Sequence, residues 1–294
     1  MIMLLAMAFN QAWAAGIPEL VTDPIVLGEG TPSEKNAIHL AELDILPEVY
    51  NNNTTYPLSV ETFADGTVLL YLDKKETKPT SVSDDDIMGA SYDKIDAVTK
   101  THVIALTNDK YRKGLHAMAP SDPSLSTPVL IVTGDPRPGK TRKTCTYEDI
   151  VALAEAFDNA ECPEDGRRLV LCSDHWSDML LDRKNFGDHV ANYTTGTVLD
   201  IAGFKVYKAT YAPRYNSIGE GKLPYGTVPD AKEYRASVAF WEGNVAIKTG
   251  ITKQYFSEAS TKPTNPVNEL NYRHYFMMLP KQNKWIGALT SIDA

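Results

Sequence analysis

The sequence predicts an α+β fold, and three observations carry that prediction. From Thr146 to Leu180 a capped amphipathic helix, a Pro-Glu-Asp-Gly turn, an all-apolar strand and a second short helix follow one another without a break. The last third of the chain reads as strands joined by long connections, and after Asp174 the regular strand-helix repetition of a doubly wound sheet is absent. With 294 residues, 43% of them hydrophobic and 23% charged, the chain is long enough for one large domain or two small ones.

The first residues, MIMLLAMAFNQAWAA, hold an apolar run ending in Ala12-Trp13-Ala14, the small-residue pattern of a secretory cleavage site. The run lacks Lys or Arg before it, is interrupted by Asn10 and Gln11, and is too short to cross a bilayer. Translation from Met7, or a short helix heading an N-terminal arm, are the competing readings. Asn53-Thr54-Thr55 and Asn192-Tyr193-Thr194 match the glycosylation sequon, which matters only in a secreted chain. No other segment is apolar and long enough to span a membrane.

From Leu27 to Tyr56 the breakers Gly28, Gly30, Pro32, Pro47 and Asn51 to Asn53 permit only short elements, so this stretch reads as an extended arm. Ile38, Leu40, Leu43, Ile45 and Leu46 suit it to lie along its own or a neighbouring surface, and Ser33 or Asn36 can cap a short helix. The region from Val60 to Leu106 reads as a projecting hairpin. Thr67 to Leu72 follows the turn Ala64-Asp65-Gly66 with β-favouring residues. The charged run Asp73, Lys74, Lys75 and Glu76 comes next, then a polar tip with Asp84, Asp85 and Asp86, and Tyr92 to Leu106 returns with strand character. Three consecutive carboxylates without a loop glycine match a calcium loop poorly, so they read as a solvated charge run or as partners for an adjacent subunit.

Gly134-Asp135-Pro136-Arg137-Pro138-Gly139-Lys140-Thr141 satisfies the phosphate-loop expression G-x-x-x-x-G-K-[ST] just after the apolar run Val129 to Val132. Pro136 and Pro138 each remove a backbone donor that a phosphate cradle needs. The next helix starts only at Thr146, too late to aim its N-terminus at a phosphate. The segment therefore reads as a stiffened basic loop, with nucleotide hydrolysis as the alternative.

In the helix that follows, Ile150, Leu153, Ala154 and Phe157 line one face, Thr146 with Asp149 resembles a capping box, and Pro163 sets the stop. Leu169 to Cys172 has the apolar continuity of a strand buried on both faces. Ser173 is the expected N-cap of the helix carrying Trp176, Met179 and Leu180. Ser173, Asp174 and His175 are consecutive, so their side chains diverge and make no catalytic relay. The six histidines show no i, i+4 pair and no C-x-x-C accompanies them, so no metal and no cofactor is expected; His175 and His189 read as surface or interface residues. Three cysteines, Cys145, Cys162 and Cys172, make no disulfide framework.

Farther on, Phe204, Val206 and Tyr207 follow a turn at Ala202-Gly203, and Pro213 to Pro229 is a loop too long to be a mere connector. Tyr234 to Ile247 is apolar enough to re-enter the core. Tyr272 to Leu279 and Trp285 to Leu289 read as a closing hairpin that anchors the C-terminus. The net charge of -9 argues against a protein that wraps nucleic acid, because phosphate neutralisation needs clustered Lys and Arg.

The segment TYEDIVALAEAFDNAECPEDGRRLVLCSDHWSDML, with VLDIAGFKVYKA and VAFWEGNVAIKTG after it, resembles the major capsid proteins of tailed bacteriophages, which share the HK97-type fold. The resemblance implies an N-terminal arm over 1–58, a projecting E-loop hairpin over 59–106, and a spine helix with the peripheral-domain core over 107–197. An axial domain over 198–250 and closing strands over 251–294 complete that plan. It implies a structural, non-enzymatic subunit that assembles with itself into hexamers and pentamers of an icosahedral phage head. That head would enclose double-stranded DNA without reading its sequence, with scaffold and portal proteins as further partners and no membrane. The expected location is the virion, assembled in the host cytoplasm. The inter-subunit contacts it implies are Asp73, Lys74, Lys75, Glu76, Asp84, Asp85 and Asp86 on the hairpin, and Arg214, Tyr215 and Tyr225 in a loop at the capsomer axis. The alternatives are a P-loop nucleotide hydrolase using Gly134 to Thr141 and a secreted adhesion module.

Overall fold

The computed structural model describes residues 37–42, 66–83, 94–182, 191–192, 197–198, 200–219, 221–261, 264 and 266–294. The expectations for the N-terminal leader, for Asp84 to Asp86 and for His189 lie outside them. An antiparallel pair comes first, β1 (Ala37–Glu42) with β2 (Gly66–Tyr71), registered Ile38 against Leu70 and Leu40 against Val68. The strand expected from Thr67 is present. Its partner, however, is the arm and not the limb beyond the charged run, and residues 37–42 are a strand, extended as the arm was read and not the short helix that Ser33 or Asn36 could cap.

The charged run does not project. β3 (Asp73–Glu76) and β4 (Thr80–Ser83) both pair antiparallel with a 14-residue strand, Val267–Pro280, near the end of the chain. The expected return strand from Tyr92 to Leu106 is instead the start of a 25-residue helix, α1 (Lys94–Met118), so the boundary expected at residue 106 falls inside a helix. Its buried face runs through Thr99, His102, Leu106, Lys110, Gly114, Leu115 and Met118, a helical stripe. Three of those positions carry Thr, His or Lys, so apolar periodicity alone misses it, while Val103 and Ala105 imitate a strand.

Beyond α1 come β5 (Val129–Ile131), α2 (Tyr147–Asn159), β6 (Arg167–Cys172), α3 (Ser173–Leu181), the short pair β7 (Ala191–Asn192) and β8 (Thr197–Val198), and β9 (Lys205–Ala209). The helix expected from Thr146 is borne out in detail: Thr146 accepts from the Asp149 N–H, and Asp149 returns the bond to the Thr146 N–H at 2.8 Å. Every residue of β6 is buried, as its apolar run requires. The expected cap at Ser173 is corrected. Cys172 holds the N-cap position, and its sulfur accepts the His175 N–H at 3.4 Å. The turn at Ala202-Gly203 forms with both residues at positive φ, 48° and 79°.

β10 (Ser237–Trp241), β11 (Val245–Ser257), β12 (Val267–Pro280) and β13 (Ile286–Thr290) complete the chain. One sheet has the order β5-β13-β10-β6-β9, and a second has β11-β12-β3 with β4 also on β12. The closing hairpin expected from 272–289 does not form, because β12 pairs with β11 while β13 crosses to the other sheet between β5 and β10. The Asn244 side chain donates to the Gln282 and Lys284 carbonyls, at 2.9 and 2.6 Å, and holds the turn that redirects the chain. The tail is nonetheless anchored, since the Ala294 N–H donates to the Thr141 carbonyl.

Two cores hold these layers. On one face of the five-stranded sheet α2 and α3 bury Ile150, Leu153, Phe157, Trp176 and Met179 against Leu169, Leu171 and Phe204. On the other face Val170, Val238, Phe240 and Ile286 meet Leu115 and Met118 of α1 with Val245, Ile247 and Phe276 of the second sheet. At roughly 1.5–3 kcal/mol per buried large side chain, this second cluster suffices to weld the two sheets into one body. The five-stranded sheet takes strands from the spans 107–197, 198–250 and 251–294 alike, so those boundaries do not separate folded layers.

Candidate functional site

The expected contact residues fall in two places. On β3 the charges are met from within the chain: Asp73 pairs with Lys113 at 2.6 Å, Lys74 with Glu76 at 3.2 Å, Glu76 with Arg273, and Lys75 with Asp109 of α1. Lys75 is 9% exposed, so its expected role as a surface contact is corrected: antiparallel pairing with β12 lays β3 against the helix and folds that lysine inward. Asp73, Lys74 and Glu76 stay partly exposed.

The loop from Pro213 to Pro229 is similarly drawn in. Tyr215 is 1% exposed and its hydroxyl donates to the Pro120 carbonyl, so it too is corrected from contact residue to core residue. Lys222 donates to the His116 and Ala119 carbonyls at 3.0 and 2.6 Å, filling acceptors that the C-terminus of α1 leaves open. Tyr225 donates to Asp109 at 2.6 Å and stacks edge-on against His116. Burial opposes ionisation of Asp109, but bonds from Lys75 and Tyr225 outweigh it and hold the carboxyl below its usual range. Arg214 donates to the Glu233 carbonyl and Tyr225 is 42% exposed, which leaves these two at the surface.

The basic loop offers no phosphate cradle. Two of its amides are spent within the fold, Gly134 in an exchange of N–H···O bonds with Thr144 at 3.1 Å and Lys140 on the Arg137 carbonyl, and Pro136 and Pro138 have none to give. A Cβ at Gly134 would stand 2.6 Å from the Thr144 carbonyl oxygen, so the glycine serves this close crossing rather than a ligand. Arg137 and Arg142 both turn to Asp178 of α3, and Arg142 holds its two oxygens at 2.8 and 2.9 Å. The Cys145 N–H adds a bond at 3.1 Å to a carboxylate whose side chain is only 1% exposed. The loop is thus a clamp from α3 to the strand before α2.

His175 was expected at the surface or an interface and is fully buried within the chain. Its ring nitrogens lie 2.7 Å from the Ser237 hydroxyl and 2.9 Å from that of Ser291, tying α3 to β10 and the C-terminal tail. Burial pushes its pKa down to about 4, and Arg142 nearby acts in the same direction. A fully buried, hydroxyl-bracketed imidazole has no access to a substrate. Among the described residues no cluster of three His, Cys, Asp or Glu side chains is placed to hold a metal ion. No helix among them is long and apolar enough to cross a membrane.

The exposed large apolar residues are what the surface offers: Leu125, Val228, Leu181, Ile218 and Ile104 are each 59% exposed or more. They are spread over α1, the loop before β5, α3 and the loop from Pro213 to Pro229, in the pattern of several modest contacts rather than one pocket.

No family model and no curated protein matches the chain. Solved structures do. The capsid of Cyanophage P-SCSP1u superposes with a TM-score of 0.62 at 14% identity, covering 88% of this chain and 84% of that one. The capsid of an empty GTA particle gives 0.60 at 11% identity, with 90% and 87% covered. A virus-like particle from Pyrococcus furiosus gives 0.51 at 10% identity, with 98% of each chain covered. The chain has the α+β, HK97-type fold of these capsid structures.

Proposed function

We propose that this chain is a structural subunit of a phage-type capsid, which assembles with itself into the hexamers and pentamers of a closed shell. The observation that supports it best is likeness of fold across most of the length of capsid subunits, at 84% to 98% of those chains. The surface agrees. Apolar residues such as Leu125 and Val228, 77% and 89% exposed, are dispersed over separate elements, as ring contacts to several neighbours require. Individual exposed ion pairs contribute about 0 to 1 kcal/mol, so strength comes from repetition and buried area.

In such a shell Asp73, Lys74, Glu76, Arg214 and Tyr225 keep surface available to neighbours, and Asp84, Asp85 and Asp86 stand beside them in sequence. A net charge of -9 suits a wall that encloses double-stranded DNA without gripping it. Scaffold and portal proteins are the further partners of this reading, the virion its location and the host cytoplasm the place of assembly. No catalytic role is assigned. Electron microscopy of the purified protein, by negative stain, should show closed particles of narrow size range. A strictly monomeric species in sedimentation at high concentration, with no particles in any buffer, would overturn it.

A further inference from the structure

Between the C-terminal half of α1 and the loop from Pro213 to Pro229 lies a depression of about 310 Å³. Three arginines line it: Arg112 from α1, Arg214 from the loop, and Arg235 just before β10. Arg214 and Arg235 are direct partners in an isolated antiparallel bridge. The bonds that frame this bridge run from the Tyr215 N–H to the Tyr234 carbonyl at 3.4 Å and from the Ala236 N–H to the Pro213 carbonyl at 2.9 Å. The two arginines are therefore its non-hydrogen-bonded pair, the arrangement in which facing side chains stand closest and like charges repel most. Among the described residues no Asp or Glu lines the depression and none pairs with these three arginines, in a chain whose net charge is -9. Glu233, two residues before Arg235, turns its carboxylate to the Asp230 N–H at 2.7 Å. Arg214 donates to the Glu233 carbonyl, and Arg112 lies 5.6 Å above the Tyr211 ring.

We propose that this depression binds a free oxyanion of the phosphate class, held between the guanidinium groups of Arg214 and Arg235 with Arg112 closing over it. Planar guanidinium forks match phosphoryl oxygens two at a time, which ammonium groups do not. An anion set between the facing pair replaces one repulsion by two attractions. Thr210 and Thr227, which also line the depression, bring hydroxyl donors. A compact ligand fits better than a strand of nucleic acid. The pull of three arginines reaches about 8 Å at physiological salt, and beyond it a long polyanion meets a surface of net negative charge. None of the residues from Gly134 to Thr141 lines this depression, so the site is separate from the basic loop. Bound here, the anion ties α1, the loop and the approach to β10 at one point. The site is complete in one copy and does not depend on the shell reading.

The test is isothermal titration calorimetry of the full chain with sodium pyrophosphate, at an ionic strength held constant with sodium chloride. Saturable binding at one site per chain is expected. Arg235→Gln should weaken it roughly tenfold, and Arg235→Lys by less, since lysine keeps the charge and loses the fork. Lys140→Gln in the basic loop should leave the affinity unchanged. Thermal melts give a second readout. At a hundredfold excess of pyrophosphate over its Kd, the midpoint of the unaltered protein should rise about 5 °C more than that of Arg235→Gln. That difference cancels the general stabilisation that excluded phosphate salts give any protein. Should Arg235→Gln fail to fold by circular dichroism, Arg112→Gln on the exposed side of α1 decides instead, with a loss of roughly threefold. A short DNA duplex offers the same phosphate chemistry from another source, and it should not displace pyrophosphate. No saturation by about 10 mM, equal affinity in the arginine variants, loss of binding in Lys140→Gln, or binding of the duplex alone would each overturn the proposal.

Discussion

Asp178 shows how a single buried charge is made tolerable. Two guanidinium groups and the Cys145 amide meet its carboxylate, so the ion is paired and its oxygens are satisfied. Removing the charge strands both arginines. Asp178→Asn is expected to lower unfolding free energy by about 3–5 kcal/mol, measured by urea denaturation, because one partner of a buried pair is lost. His175 gives a pH dependence whose sign follows from burial. Its pKa in the fold, about 4, lies below the ordinary value of 6.5, so the neutral ring is the form the fold holds. The stability it contributes is complete above pH 6.5 and is lost as pH falls toward 4. At 1.36 kcal/mol per unit this is about 3 kcal/mol, and denaturation midpoints across pH 4–7 should decline accordingly. His175→Asn should flatten that decline. Both groups were visible as residue types, and neither was legible in its role. The sequence placed His175 at the surface or an interface, because nothing in one strand or helix announces that hydroxyls from positions 237 and 291 converge on it.

At the scale of elements, local signals succeeded where the information was itself local. The capping box of α2 is written in residues three apart, and the fold uses it as written. Thr146→Ala should cost about 1 kcal/mol, read as a lower thermal midpoint with an unchanged fold. The continuous apolar run of β6 likewise announced a strand covered on both faces. α1 is the counter-case. Its inward stripe includes Thr99, His102 and Lys110, groups that find cover only against β3, β4 and β12, so its helical period is hidden from hydrophobicity. His102 contacts the Thr77 and Thr80 hydroxyls at 2.8 and 3.0 Å, a partnership set by chain segments more than twenty residues away. Likewise β12 and β13 sit next to each other in sequence, yet they serve different sheets. Strand character was legible in both; pairing was not, because it is chosen by which neighbour completes a layer.

For the molecule as a whole, the core shared by α1 and both sheets makes one cooperative unit of two layers. Trp176, Trp241 and Trp285 all belong to the five-stranded side, while α1, β11 and β12 supply much of the remaining regular structure. Tryptophan fluorescence and far-ultraviolet circular dichroism should therefore give coincident unfolding curves; separated transitions would mean that the second core does not couple the layers. The basic loop yields a further expectation at this scale. Lys140→Ala should leave particle formation unchanged, and calorimetry of the unaltered protein should detect no nucleotide binding that depends on this loop, since Pro136 and Pro138 carry no amide N–H and the Gly134 and Lys140 amides are already bonded. By itself the sequence determined the α+β class, the α2–turn–β6–α3 hub and the resemblance to phage capsid subunits, because capping, turn chemistry and apolar runs act over a few residues. Only the tertiary structure decided where the long helix lies, which strands share a sheet, and that Lys75 and Tyr215 face inward. Those outcomes depend on segments up to two hundred residues apart burying one another's polar and apolar faces, a balance that no short window of the chain contains.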